Sequence, residues 1–350
     1  MSASLICRML EEKLPRSISM VLVCFAIYAA FCLPGYAHKY LNNHYSINAP
    51  VFLTFTQFFT VTLLCSPSLY RATFSKKKLS VKFVIYFLTS TALLVSMALD
   101  NYCVLRLNYS TELLFKSPKV LTVMVGNIVF LKKAFSVSEI LSTSLVVCGF
   151  VGMALGDFSG KNNFDLNGIA AVVVSLTLEA IASNMEEYIL KLCNATIEES
   201  MSLIFTIGTG LTLSWSICTG EFLNACIKIR ENPASLFYLA IYSILGAIGL
   251  FVVFISLKIF GSLQTVMFTS IRKVINSCVA FFIFHDRIIS FWHITSLFLV
   301  ASGFALNISD ISKNEKKEGH RPSLEGSQNY DVLVEGGEED PSGNSGLFDV

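Results

Sequence analysis

A chain of 350 residues with 53% apolar and 15% charged side chains and a mean hydropathy of +0.62 lies well below the roughly 25% charged residues of a soluble domain. The net charge of +1 gives no basic footprint for nucleic acid. Ten cysteines without a C-x-x-C pair or other metal-ligand spacing exclude a thiolate metal cluster, and most sit in apolar runs where Cys acts as a small hydrophobe.

Apolar stretches of 18 or more residues recur, the length needed to cross a hydrocarbon core about 30 Å thick. They are continuous rather than alternating, so helices and not barrel strands are the spanning elements. The expected fold class is all-α integral membrane. A short N-terminus (1–17) carries charge from Arg8 to Arg16; no small-residue cleavage site follows the first apolar run, so that run is expected to be retained. Ten spans follow. Those at 18–37, 50–70, 82–99, 108–131 and 136–156 form a first five-helix unit (18–156). Those at 167–190, 200–219, 236–257, 262–284 and 288–308 form a second (167–308). Residues 310–350, rich in Glu, Gly, Ser and Asp, have too little apolar surface to fold and read as a disordered tail.

With ten spans and a cytosolic N-terminus, sixteen loop Lys and Arg gather on the cytosolic side against six opposite, which places both termini in the cytosol. The sequons at Asn108, Asn194 and Asn307 lie at span edges or on the cytosolic side and are expected to stay unmodified.

The two units resemble each other. Phe115-Lys116-Ser117-Pro118-Lys119 lines up with Phe268-Thr269-Ser270-Ile271-Arg272, and Thr143-Ser144-Leu145 with Thr295-Ser296-Leu297, ahead of Gly149 and Gly303. Five spans per unit, an odd number, send the second unit into the membrane in the opposite sense, an inverted repeat of the kind found in secondary transporters.

Four cations interrupt the spans: Lys116, Lys119, Arg272 and Lys273. Each costs about 2.5–3.5 kcal/mol at a helix centre, and four without compensation would cost roughly 10–14 kcal/mol. Lys116 and Lys119 share a helix face, and the repeat brings Arg272 and Lys273 to the same level. One reading pairs them with intramembrane acids, Glu112 one turn before Lys116 and Glu179 in the sixth span, which leaves two cations in excess. The other, which the excess favours, is a polyanionic ligand such as phosphate. Tyr109, Phe115 and Phe268 could stack on a base. His38, His44, His285 and His293 form no ligand pattern, and there is no nucleophile elbow, P-loop or H-E-x-x-H motif, so nothing supports an enzyme.

At these residues the chain resembles the nucleotide-sugar transporter family of the drug/metabolite transporter superfamily, and within it the transporters of 3′-phosphoadenosine 5′-phosphosulfate (PAPS). Leu107 to Thr111 leads into Phe115-Lys116-Ser117 and Lys119 with Val123-Met124, similar to N-Y-P-T-Q…F-K-x-x-K-x-x-P-V-M. Phe164 to Gly168 and Asn184 to Thr196 resemble F-N-L-x-G and N-x-Q-E-K…K-x-x-N-A-S. Leu257 to Gly261 followed by Arg272-Lys273 resembles K-I-F-G…G-R-K. The resemblance implies that Lys116, Lys119, Arg272 and Lys273 hold phosphate, with Tyr109 and Asn184 as further substrate ligands and Glu112 and Glu179 as modulators. It implies Golgi or endoplasmic reticulum residence and exchange of an incoming nucleotide for a spent one, with no cofactor or metal. The partners expected are the nucleotide and membrane lipid, with a homodimer as an open arrangement.

Departures from the family pattern are Ser110 and Thr122 in place of proline, Ile271 in place of Gly, Glu112 and Glu186 in place of Gln, Tyr188 in place of Lys, and Lys39 in place of Glu. Loss of the prolines predicts a straighter fourth helix. Other cargoes of the same fold are UDP-sugars and ATP or ADP, and the alternative of another class is a scaffold or receptor that kept the fold without transport.

Overall fold

Where lipid offers no partner to backbone amides, each apolar stretch must satisfy its own as helix. The computed structural model of the chain describes residues 7, 9–10, 14–45, 49–74, 83–106, 115–116, 118–156, 166–283 and 291–318. Among them are α1 (Arg16–Tyr45), α2 (Pro50–Phe74), α3 (Phe83–Arg106), α4 (Lys119–Phe130) and α5 (Val137–Gly156). Then come α6 (Leu166–Glu187), a π-helical turn (Tyr188–Leu192), α7 (Ile197–Cys218), α8 (Glu221–Glu231), α9 (Ser235–Phe260), α10 (Ser262–Ile283) and α11 (Phe291–Glu318). Among the described residues five segments are long and apolar enough to cross a membrane: Phe83–Asp100, Leu166–Leu192, Ile197–Cys218, Ser235–Phe260 and Phe291–Asp310. Arg16–Cys32, Pro50–Ser66, Lys119–Phe130 and Val137–Met153 are shorter apolar helices.

Three expectations need correction. The fourth span is not an unbroken helix over 108–131: α4 starts at Lys119 with Pro118 as its N-cap (φ −70°), whose carbonyl accepts the Thr122 N–H at 2.9 Å. Proline has no N–H to give and clashes with the preceding turn, so it sits at a helix start. Ser110 lies outside the described residues, and α4 runs unbroken through Thr122. The segment after α7 is not a plain loop but holds α8, hidden from a hydropathy reading because EFLNACIKIRE is amphipathic and charged. It buries Ala225 against Leu41, Phe52 and Leu239, and Glu221 Oε2 accepts the Val51 and Phe52 N–H groups at 2.9 and 3.2 Å, capping α2. Nor does the polar tail begin at 310, since α11 runs on to Glu318: extending an existing helix through good formers such as Lys and Glu costs far less than starting one.

α5 lies along α11, α2 along α7, α1 along α9 and α3 along α6. In addition α2 meets α9, α3 meets α7, α4 touches α6 and α10, and α1 touches α10. One buried cluster joins Phe58, Tyr86, Phe205 and Phe254 across α2, α3, α7 and α9; a second joins Val120, Val146, Phe150, Met153, Met267 and Val300 across α4, α5, α10 and α11. The outward faces carry large apolar side chains such as Phe25, Val129 and Phe298, whereas many buried polar residues are Ser and Thr. Their hydroxyls return to the preceding turn, as in Thr89 to the Ile85 carbonyl and Thr212 to the Gly208 carbonyl, both at 2.8 Å.

Small residues set the closest helix approach. A Cβ at Gly149 would lie 2.5 Å from Val300 and 2.9 Å from the Ser296 carbonyl oxygen. A Cβ at Gly303 would lie 2.9 Å from Val146 and 2.8 Å from the Ser142 carbonyl oxygen. The α5–α11 contact is thus reciprocal.

Candidate functional site

The cations sit where α3, α4, α6 and α10 converge. Lys116 and Lys119 flank the Pro118 break at the start of α4, each less than a fifth exposed. Lys116 Nζ lies 3.2 Å from Asp100 Oδ1 of α3. The Ser175 hydroxyl of α6 also donates to Asp100 and sits 3.1 Å from the Ser96 carbonyl. Lys119 pairs with Glu179 of α6. Glu186, two turns further along α6 and buried, is within electrostatic reach of both Lys119 and Glu179. Arg272 of α10 has its guanidinium carbon 4.6 Å from the centre of the Phe31 ring, a cation–π contact, and its buried Nε meets no acceptor among the described residues. Ile271, Val120 and Ala180, the chain neighbours of Arg272, Lys119 and Glu179, share one buried cluster, which holds these three ionic positions at one level.

Among the described side chains two of the four expected cations are paired with carboxylates. Lys116 is matched by Asp100 and Lys119 by Glu179, while Arg272 lies against the Phe31 ring. Asp100 lay beyond sequence reasoning because the third span was expected to end at 99. Tyr109 and Glu112 lie outside the described residues, as does the side chain of Lys273, whose backbone continues α10. Phe268 is not a stacking platform: fully buried, it meets Phe260 and Phe304 edge-on at 5.7 and 6.2 Å and packs on Met20 and Ile27. Phe115 packs against Cys103, Ala171 and Val172. Asn307, one of the sequons, is buried with Nδ2 at 3.4 Å from Ser142 Oγ.

Asn184 belongs to a second polar cluster, at the far end of α4. Its Oδ1 and Asn127 Oδ1 of α4 lie 3.1 and 3.0 Å from Ser262 Oγ. Close packing requires Gly126 beside it, since a Cβ there would fall 1.9 Å from Asn184 Nδ2. The centre of the cluster is Glu187, fully buried. Its Oε1 takes Lys133 Nζ at 2.5 Å and Lys191 Nζ at 3.3 Å, and its Oε2 takes the Ser262 N–H at 2.9 Å and the Ser262 hydroxyl at 2.7 Å. The π-helical turn Tyr188–Leu192 carries Lys191 onto this carboxylate. Gly261, at φ +92° and ψ 176°, brings α10 in; its ideal Cβ would stand 2.4 Å from Glu187 Oε1. Sequence reasoning placed Lys133 and Lys191 in cytosolic loops and missed this cluster; the only signal was Glu187 inside the N-x-Q-E-K-like stretch.

Chemically, Lys116 just before α4, Lys119 at its start and Arg272 of α10 can hold phosphate oxygens, provided the carboxylates now on Lys116 and Lys119 give way. A solved crystal structure superposes with a TM-score of 0.60 over 85% of this chain and 99% of that one at 12% identity, a likeness of fold alone. The human adenosine 3′-phospho 5′-phosphosulfate transporter 2 is 30% identical over 239 residues, 68% of this chain and 57% of that protein, so the match spans less than two thirds of this relative. The UDP-galactose/UDP-glucose transporter 4 of Arabidopsis thaliana is 26% identical over 302 residues, 85% of each chain. The model of the UAA transporter family matches residues 19–311, and the chain belongs to that family of membrane transporters and is not an enzyme.

Proposed function

We propose that this protein is an endomembrane antiporter that brings an anionic nucleotide donor, PAPS first among the candidates, into the Golgi lumen in exchange for a spent nucleotide. The endoplasmic reticulum is the alternative membrane. The observation that carries the reading is the placement of Lys119 and Arg272 on two touching helices of a transporter-family bundle, with Lys116 just before the first of them. PAPS offers a 3′-phosphate and a separate phosphosulfate for such a group, and the human relative is named for that cargo.

Alternating access needs two halves that rock about a central site. Two five-helix units, α1–α5 and α6, α7, α9, α10 and α11, account for the packing: the exchange α1↔α6, α2↔α7, α3↔α9, α4↔α10 and α5↔α11 turns each contact named above into another of the same set. The reciprocal Gly149 and Gly303 contacts support the same two-fold, with Ser142 corresponding to Ser296 and Val146 to Val300. An inverted repeat of ten spans with both termini cytosolic agrees with the sixteen-to-six bias of loop cations.

A UDP-sugar is the second reading. It is favoured by the occupation of Lys116 and Lys119 by Asp100 and Glu179, which leaves fewer cations for a second phosphate group, and by the even coverage of the Arabidopsis relative. Vesicles containing the purified protein, loaded with adenosine 3′,5′-bisphosphate and offered labelled PAPS, ATP, UDP-glucose and UDP-N-acetylglucosamine in parallel, separate the two. PAPS uptake dependent on the internal bisphosphate is the expected result. Uptake of a UDP-sugar with none of PAPS overturns the cargo, and no uptake of any nucleotide by folded protein overturns transport.

A further inference from the structure

We infer that Asp100 and Glu179 act as stand-ins for the cargo's anionic groups in the empty carrier, so that this protein performs net transport in addition to exchange. The inference rests on the transporter reading above and concerns the step in which the unloaded site crosses the membrane.

A carrier that binds anions through cations faces a problem on its return. With the cargo gone, the site must close over bare positive charge, and each uncompensated cation at bilayer depth slows that passage by about a hundredfold. A carrier left in that condition crosses only when loaded, which is strict exchange. Here the two lysines are not bare. Lys116 Nζ is 3.2 Å from Asp100 Oδ1, and Lys119 is paired with Glu179. Both carboxylates come from neighbouring helices, α3 and α6, rather than from α4 itself, so each pair spans the site instead of decorating one helix. Asp100 is held toward Lys116 by the Ser175 hydroxyl of α6. Both lysines are charge-balanced without a ligand.

The same pairs have a second consequence of opposite sign. Cargo reaches Lys116 and Lys119 only by displacing Asp100 and Glu179, so the two acids weaken nucleotide binding while they speed empty return. Removing their charge should tighten binding and abolish net flux together, a combination that a purely structural ion pair does not produce.

The test uses the full chain in vesicles loaded with labelled PAPS and, in parallel, labelled UDP-glucose. Efflux is followed into nucleotide-free buffer and into buffer containing the same unlabelled nucleotide. The wild type should release label into nucleotide-free buffer at a rate within about tenfold of exchange, since neither lysine is left bare on empty return. Asp100→Asn with Glu179→Gln should lower the ratio of net efflux to exchange by about tenfold or more, and lower the external nucleotide concentration giving half-maximal exchange. Wild-type exchange without measurable net efflux overturns the inference and leaves the transporter reading intact. Parallel loss of both fluxes in the variants with unchanged half-saturation also overturns it. Absence of every flux from folded wild type refutes the transporter reading itself.

Discussion

Replacing Glu187 removes the one carboxylate around which three parts of the chain meet. Its partners are Lys133 beyond the end of α4, Lys191 in the π-helical turn and Ser262 at the start of α10. Deleting one member of a buried ion pair typically costs about 3–5 kcal/mol, mostly from the charge left behind. Here the two lysines are 28% and 31% exposed and can turn to water, whereas Glu187 is fully buried. The loss therefore comes chiefly from the two Ser262 hydrogen bonds, each worth about 1.5–3 kcal/mol to a charged acceptor. Glu187→Ala should cost about 3–5 kcal/mol; Glu187→Gln keeps an acceptor for Ser262 but not the charge, and should cost about 2–3 kcal/mol. At roughly 2–4 °C per kcal/mol, the glutamine variant should lower the apparent melting temperature by about 5–10 °C. Thermal loss of the monodisperse peak in detergent, at one fixed heating rate, reads this directly. Variants melting within about 1 °C of wild type would show that the cluster is not holding α4, α6 and α10 together.

Gly261→Ala forces a Cβ onto a φ of +92° and to within 2.4 Å of Glu187 Oε1, and should destabilise by about 1–3 kcal/mol in the same melting assay. Gly149→Val and Gly303→Val both press on the α5–α11 contact and should each cost about 1–3 kcal/mol; equal losses at the two sites fit a two-fold, a large loss at only one does not. Lys119→Ala leaves Glu179 without its cation and should both end transport and lower stability; Glu179→Ala added to it should restore the melting temperature while transport stays lost. Epitope tags at residues 2 and 350 should both be reached by antibody when only the plasma membrane is permeabilised; protection of one but not the other refutes the ten-span count, and protection of both refutes the orientation.

Most helices were legible because lipid demands a length and a composition, and both are visible along the chain. What hydropathy could not see were features set by local backbone chemistry. Pro118 moved the start of α4 to Lys119, and α8 escaped because its polar face lowers the mean of any window laid over it. The match of Thr143-Ser144-Leu145 to Thr295-Ser296-Leu297 is two residues out of step with the contacts, which pair Ser142 with Ser296. Ser142 and Ser144 offer the same side chain to an alignment; only the partner helix distinguishes the one that faces it.

The site was legible in its charges and not in its pairings, for a physical reason. A lysine inside an apolar run announces a cost, and the cost must be met somewhere, but the sequence does not say by which residue. Glu179 was a candidate because it interrupts a span, and it does pair with Lys119. Asp100 stands at the end of one, where an acid is unremarked, yet it lies 3.2 Å from Lys116. Lys133 and Ser262 are 54 and 75 positions from Glu187 and meet it only through the fold. The consequence reaches the cargo. Four cations counted alone call for a ligand with two well-separated anionic groups, whereas cations already occupied by Asp100 and Glu179 present a nucleotide with competitors at the same ammonium groups. Under the proposed transport, selection among nucleotides depends on which cargo displaces both carboxylates at once, and a 3′-phosphate set apart from a phosphosulfate would take both lysines in one binding event, where a single diphosphate would take them in turn.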